Sequence, residues 1–184
     1  VVVGRSWRTL RGWPDRPTQE AALSDLTYPE VGATDGELPG GYHHLRASRV
    51  IGHGSAAFEA AASALLSWQM HARAGVQKIS GPDVATVGRD VAFRWLLLRF
   101  ECRVVSVIDD PRRRGFTYGT LARHPERGEE RFVVELDPST QVVTATITAF
   151  SKPSGWLARA GGGVARLVQA RMTQRYLRAL GHPC

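Results

Sequence analysis

From Val84 to Phe150 the side chains alternate with a period of two, and this constrains the fold more than any other feature of the chain. Val84 to Leu98 reads as one or two strands with Val87, Val91, Phe93 and Trp95 on one face. Phe100 to Ile108 follows and turns at Asp109-Asp110-Pro111. Gly115 to Leu121 puts Phe116, Tyr118 and Thr120 on one face. Arg131 to Leu136 closes at Asp137-Pro138-Ser139, and Val142 to Phe150 alternates Thr144, Thr146 and Thr148 against Val143, Ala145, Ile147 and Ala149. Connections this short favour antiparallel hairpins stacked as a meander.

A sheet of this kind needs a cover for its apolar face. The last segment supplies one: Leu157, Val164, Val168, Met172 and Tyr176 recur at multiples of about four residues, widened by Leu167, Leu177 and Leu180, with arginines on the other side. Gly161-Gly162-Gly163 would cost roughly 3 kcal/mol inside a helix. The helix therefore begins near Val164 or is kinked there, and Gly181 and Pro183 stop it. Upstream, His44 to Ile51 alternates as a strand. Ser55 to Trp68 repeats Phe58, Ala61, Ala62, Leu65 and Leu66 at helical spacing behind Ser55 as N-cap, and a short helix runs from Gln69 to Ala74 with Gly75 as C-cap. Residues 1–25 form an irregular arm broken by prolines, with a short helix possible from Thr18 to Leu26. Residues 26–182 form one domain.

The fold class is thus α+β: a curved antiparallel sheet of six to seven strands gripping a long C-terminal helix, with two short helices after the first strand. This order resembles the helix-grip fold of the birch-pollen-allergen, START and polyketide-cyclase superfamily. At 184 residues, 43% hydrophobic and 22% charged, the chain suits one well-buried core. No apolar run reaches the roughly 20 residues of a membrane-spanning helix. Val1-Val2-Val3 reads as a trimmed or tagged end. Cys102 and Cys184 give no disulfide framework, which fits a reducing cytoplasm. The net charge of +7 comes almost wholly from arginine, Lys78 and Lys152 being the only lysines. Its spread along one helix and one turn fits a solvated surface better than a specific nucleic-acid site.

A narrower resemblance rests on particular stretches. These are Leu26-Thr27-Tyr28, Val31-Gly32-Ala33-Thr34, Pro39-Gly40-Gly41-Tyr42, Trp68-Gln69-Met70-His71 with Ala74-Gly75-Val76, and Gly115-Phe116-Thr117-Tyr118-Gly119-Thr120-Leu121. His124-Pro125-Glu126, Gly128-Glu129-Glu130-Arg131-Phe132, Ala149-Phe150-Ser151-Lys152-Pro153 and Gln169 complete the set. Over residues 26–180 the chain resembles domain-of-unknown-function family nineteen-ninety, also filed as uncharacterised protein family 0548. The resemblance implies a helix-grip fold and carries over no catalytic residue.

The densest polar cluster is Tyr118, His124, Glu126, Glu129 and Glu130. A histidine beside carboxylates suits acid–base chemistry if it faces a pocket; otherwise Glu129 or Glu130 anchors a turn through backbone N–H groups. His43, His44 and His53 with Glu59 or His71 share no metal-ligand spacing, and no metal or other cofactor is implied. Ser55 lacks the second glycine of a nucleophile elbow. The aromatic set is more informative: Phe93, Trp95, Phe116, Tyr118 and Phe150, with the threonines, line sheet faces opposite Leu157, Val164, Val168, Met172 and Tyr176. These surfaces make either a packed core or a cavity for a small apolar or amphipathic molecule. The candidate ligand-binding residues are Phe93, Trp95, Tyr118, His124, Glu129, Phe150, Val168 and Met172. The alternative is an interaction module that docks a protein or anionic partner through its basic surface, and a homodimer is compatible with either reading.

Overall fold

The structure, a computed structural model, describes residues 25–154 and 162–181. The expected helix over Thr18–Leu26 lies almost wholly outside these residues, as do Leu157 and Cys184, and so does the side chain of Val164. Seven strands form one antiparallel sheet: β1 (His43–His53), β2 (Gln77–Ser80), β3 (Asp90–Trp95), β4 (Leu98–Asp110), β5 (Arg113–Thr120), β6 (Glu126–Leu136) and β7 (Val142–Pro153). Their spatial order is β1-β7-β6-β5-β4-β3-β2, so β2 to β7 form a meander and β1 closes the far edge against β7. Helices α1 (Gly54–Leu66) and α2 (Gln69–Arg73) connect β1 to β2, and α3 (Gly162–Leu180) follows β7.

Alternation decides what each face does. The inner face carries Val91, Phe93, Cys102, Val104, Phe116, Tyr118, Phe132, Val134, Val143, Ala145 and Ile147, packed with Phe58 and Leu65 of α1 and Tyr176, Leu177 and Leu180 of α3. At roughly 1.5–3 kcal/mol for each large apolar side chain buried, this layer dominates stability. Among the described residues, residues 26–35 and Tyr42 cover part of the outer face.

Several elements depart from the sequence reading. β2 is a four-residue edge strand bulged at Lys78/Ser80, too short and polar to show an alternating pattern. Residues 84–89 form a loop, so only Asp90–Trp95 of the expected Val84–Leu98 strand is extended before a two-residue turn at Leu96–Leu97. β6 begins five residues before Arg131. His53, not Ser55, is the N-cap of α1, without a side-chain cap. The helix also stops at Leu66, because Trp68 takes a left-handed backbone (φ 65°) and turns its indole N–H to the Pro82 carbonyl at 2.9 Å. Ala74 is the C-cap of α2, and Gly75 follows it at φ 86°. α3 begins inside the triple glycine, at Gly162.

Candidate functional site

The site is built on Trp68 and His71, which the break between α1 and α2 pushes onto the inner face of the sheet. His71 is fully buried (0% exposed) and stacks on Phe93 with ring centroids 4.6 Å apart and planes 8° from parallel. Tyr176 of α3 lies 5.0 Å from it, Trp68 5.6 Å and Phe132 5.7 Å, with Tyr118 at 6.1 Å and Phe116 at 6.3 Å. Neither ring nitrogen meets a hydrogen-bonding partner among the described residues. Desolvation accordingly pushes its pKa down to about 3, and the ring is neutral at pH 7.

Next to this aromatic cage lies a polar cluster on the same face. Tyr118 and Glu130 are direct cross-strand partners, and the phenol donates to the Glu130 carboxylate at 3.0 Å. Burial raises the Glu130 carboxyl to about 7; the Tyr118 bond opposes the rise and the charge of Glu126 adds to it. Burial also lifts Glu126 to about 6, against a hydrogen bond from the Ser151 hydroxyl. Ser151 accepts in turn from the Gln169 amide of α3 at 3.1 Å, tying the helix to this end of the sheet. The Tyr118 and Tyr176 phenols and the Cys102 thiol are all pushed well up, first by burial and then by the Glu130 charge. The group can therefore hold one proton near neutrality on a carboxyl flanked by uncharged hydroxyls, inside an apolar wall.

Among the described residues, one end of this interior is less closed than the other. Tyr176, Leu177, Ala179 and Leu180 of α3 are buried, whereas Arg166, Leu167, Val168, Ala170 and Arg171 are exposed and Met172 is half-buried. On the sheet side Trp95, Phe100, His124 and Glu130 are half-buried too. Phe100 stacks edge-on to His124 at 5.1 Å and lies 5.6 Å from Phe93, so a column of rings runs from this margin to His71. His124 is pulled down to about 4 by burial, so its ring is neutral; its Nδ1 accepts from the Glu126 N–H at 3.1 Å. A separate groove of about 560 Å³ at the β2–β3 edge is lined by Gly81, Pro82, Gly88, Arg89 and Asp90 and shares none of these groups.

The sequence-derived candidates divide by face. Phe93, Trp95, Tyr118, His124 and Met172 lie on or beside the inner cluster. Val168 shares its helix but is exposed, as is Leu167, while Gln169 beside them reaches the sheet through Ser151. Glu129 and Phe150 belong to the outer face, with Thr144, Thr146 and Thr148, and do not join the others. Glu129 is 2% exposed and accepts four hydrogen bonds: from the Tyr28 hydroxyl (2.8 Å), the Gly32 N–H (2.7 Å), and the Thr34 N–H and hydroxyl (3.1 and 2.6 Å). It is an anchor for residues 28–34, not a pocket wall. Phe150 packs edge-on to Tyr28 (5.4 Å) and Tyr42 (5.0 Å), and Lys152 caps the Tyr42 ring at 4.4 Å. Gly119 leaves room for this layer, since a Cβ there would run into the Tyr28 ring and the Leu26 side chain. His71 and Tyr176 are the central residues missing from the sequence-derived set. Their periodicity matched ordinary core positions, and only the convergence of six rings on an imidazole sets them apart.

A seven-stranded antiparallel sheet holding a C-terminal helix against its inner face defines a helix-grip protein. The crystal structure of hypothetical protein jhp0584 from Helicobacter pylori shares this fold at a TM-score of 0.55, with 13% identity over 97% of each chain. Residues 27–179 match the family model described as Domain of unknown function (DUF1990), and the chain belongs to that family. A UPF0548 protein of Deinococcus radiodurans is 31% identical over 91% of this chain and 94% of its own length. A UPF0548 protein of Dictyostelium discoideum is 28% identical over 91% and 88%. No helix among the described residues is long and apolar enough to cross a membrane.

Proposed function

We propose that this protein binds a small, mainly apolar molecule bearing one polar group, between the inner face of the sheet and the first half of α3. The observation that carries the reading is the Tyr118–Glu130 pair. A half-buried carboxyl raised to about 7, bonded to a phenol and surrounded by aromatic rings, is a costly arrangement for a mere core. It makes chemical sense where it meets a hydroxyl, carboxyl or carbonyl of a ligand. Phe93, Trp95, Phe100 and Met172 supply the apolar wall, and His124 lies at the margin. Ligand sites commonly combine such walls with a few convergent polar groups. Among the described residues the cluster shows no nucleophile beside a base, and binding is the reading the geometry supports best.

Native mass spectrometry of freshly purified protein, followed by denaturation and analysis of released molecules, tests this directly. The expected result is a reproducible apolar adduct, or capture of one class from a panel of fatty acids, sterols and flat phenols. Its occupancy should fall in Tyr118→Phe and in Glu130→Gln. A clean mass that stays unchanged across the whole panel would refute the proposal.

A further inference from the structure

The tip of the β3–β4 hairpin is the most exposed apolar feature of the described residues. Leu96 is 76% exposed and Leu97 fully so (102%), flanked by half-buried Trp95 and Leu98. Turn chemistry does not account for them. Leu96 holds φ at 54° in a two-residue hairpin turn, a position normally filled by Gly, Asn or Asp because a branched side chain is strained there. Packing does not account for them either, since both leucines face solvent. Behind the tip, Arg94 and Arg99 are exposed and stand directly opposite each other across the hairpin, a like-charge pairing that disfavours the ladder. Arg94 donates to Gln77 at 2.6 Å and Arg99 pairs with Glu101 at 3.2 Å, so the collar keeps a surplus of one positive charge. The whole chain carries +7.

We propose that this tip, Trp95-Leu96-Leu97-Leu98, inserts into the surface of an anionic lipid bilayer. A protruding pair of leucines offers far less than the roughly 800 Å² per partner of a stable protein interface. A bilayer needs no complementary surface: it takes the leucines into its acyl region, seats a tryptophan at the headgroup level and draws in the arginines. The net charge steers the protein to such a surface from a distance. The docking stands on the exposed tip alone and not on the ligand reading. It would also direct the ring column that begins at His124 and Phe100 toward the membrane.

The test is flotation of the full chain with vesicles of phosphatidylcholine alone and with about 30% phosphatidylserine. We expect binding to the anionic vesicles at least tenfold tighter than to the neutral ones. Leu96→Gly with Leu97→Asn should weaken that binding tenfold or more without lowering Tm, because only the first turn position has a positive φ and glycine removes the strain there. Arg94→Gln with Arg99→Gln should reduce the preference for phosphatidylserine. Absence of vesicle binding, or undiminished binding by the double leucine variant, overturns the proposal. So does a wild-type dimer in light scattering that the double leucine variant converts to monomer while neither binds vesicles.

Discussion

Replacing Glu129 by alanine should unfold the outer layer before it disturbs the inner one. All four lone-pair sites of the carboxylate are filled, two of them by backbone N–H groups that can find no substitute within residues 28–34. Hydrogen bonds to a charged group contribute about 1.5–3 kcal/mol each, which would sum to at least roughly 6 kcal/mol. The sum overshoots for two reasons. Removing the carboxylate also recovers its own desolvation cost of several kcal/mol, and Gly32 is exposed enough for its freed N–H to rehydrate. A loss of about 3 kcal/mol remains, or about 6–12 °C in Tm for a chain of this length. Glu129→Gln keeps one accepting oxygen and should lose about half as much. Urea unfolding of both variants, with amide exchange at Gly32 and Thr34, measures it. Glu130→Gln is the control, one residue away and on the opposite face. If Glu129→Ala changes stability by less than about 1 kcal/mol while Gly32 and Thr34 stay protected, the anchoring argument fails.

Glu130 has a folded pKa of about 7 against 4.5 for the ordinary side chain, so between those values the folded state holds the extra proton and stability falls as pH rises. Discounted for partial exposure, the loss is roughly 1–2 kcal/mol, and Glu130→Gln should flatten the profile between pH 4.5 and 7 in denaturant titrations. His71 acts in the opposite direction: with a folded pKa of about 3 it stays neutral while the unfolded chain protonates below 6.5, so acid destabilises the fold, and His71→Phe should remove that dependence. Because the phenyl ring leaves no unpaired nitrogen, His71→Phe should also raise stability at pH 7 by about 1–2 kcal/mol; a loss would refute the reading of His71 as an unpartnered group. Gly119→Ala should displace Tyr28 and destabilise by about 1–3 kcal/mol. Combined with Glu129→Ala it should be markedly less than additive in a double-mutant cycle, since both act on the same segment.

What the sequence determined by itself was the alternation and the order of elements. Period two from Val91 to Phe150, short turns and one terminal amphipathic helix leave little but an antiparallel meander gripping a helix, because a sheet with one apolar face must be covered. Alternation likewise separated Tyr118 from Thr117, but Glu129 and Glu130 stood together in one polar cluster. It could not say which face was inner where both faces carry large or polar groups, and Glu129 and Phe150 were therefore grouped with the wrong partners. The tertiary structure decided that, by laying residues 26–35 and Tyr42 on the outer face over Gly119 and Glu129. It also set His71 among rings from the α1–α2 break, β3, β5, β6 and α3, a contact set no local period encodes. The first half of α3 shows the same limit: Leu167 and Val168 keep the helical spacing of core residues, yet remain exposed because burial depends on what lies opposite and not on the pattern alone.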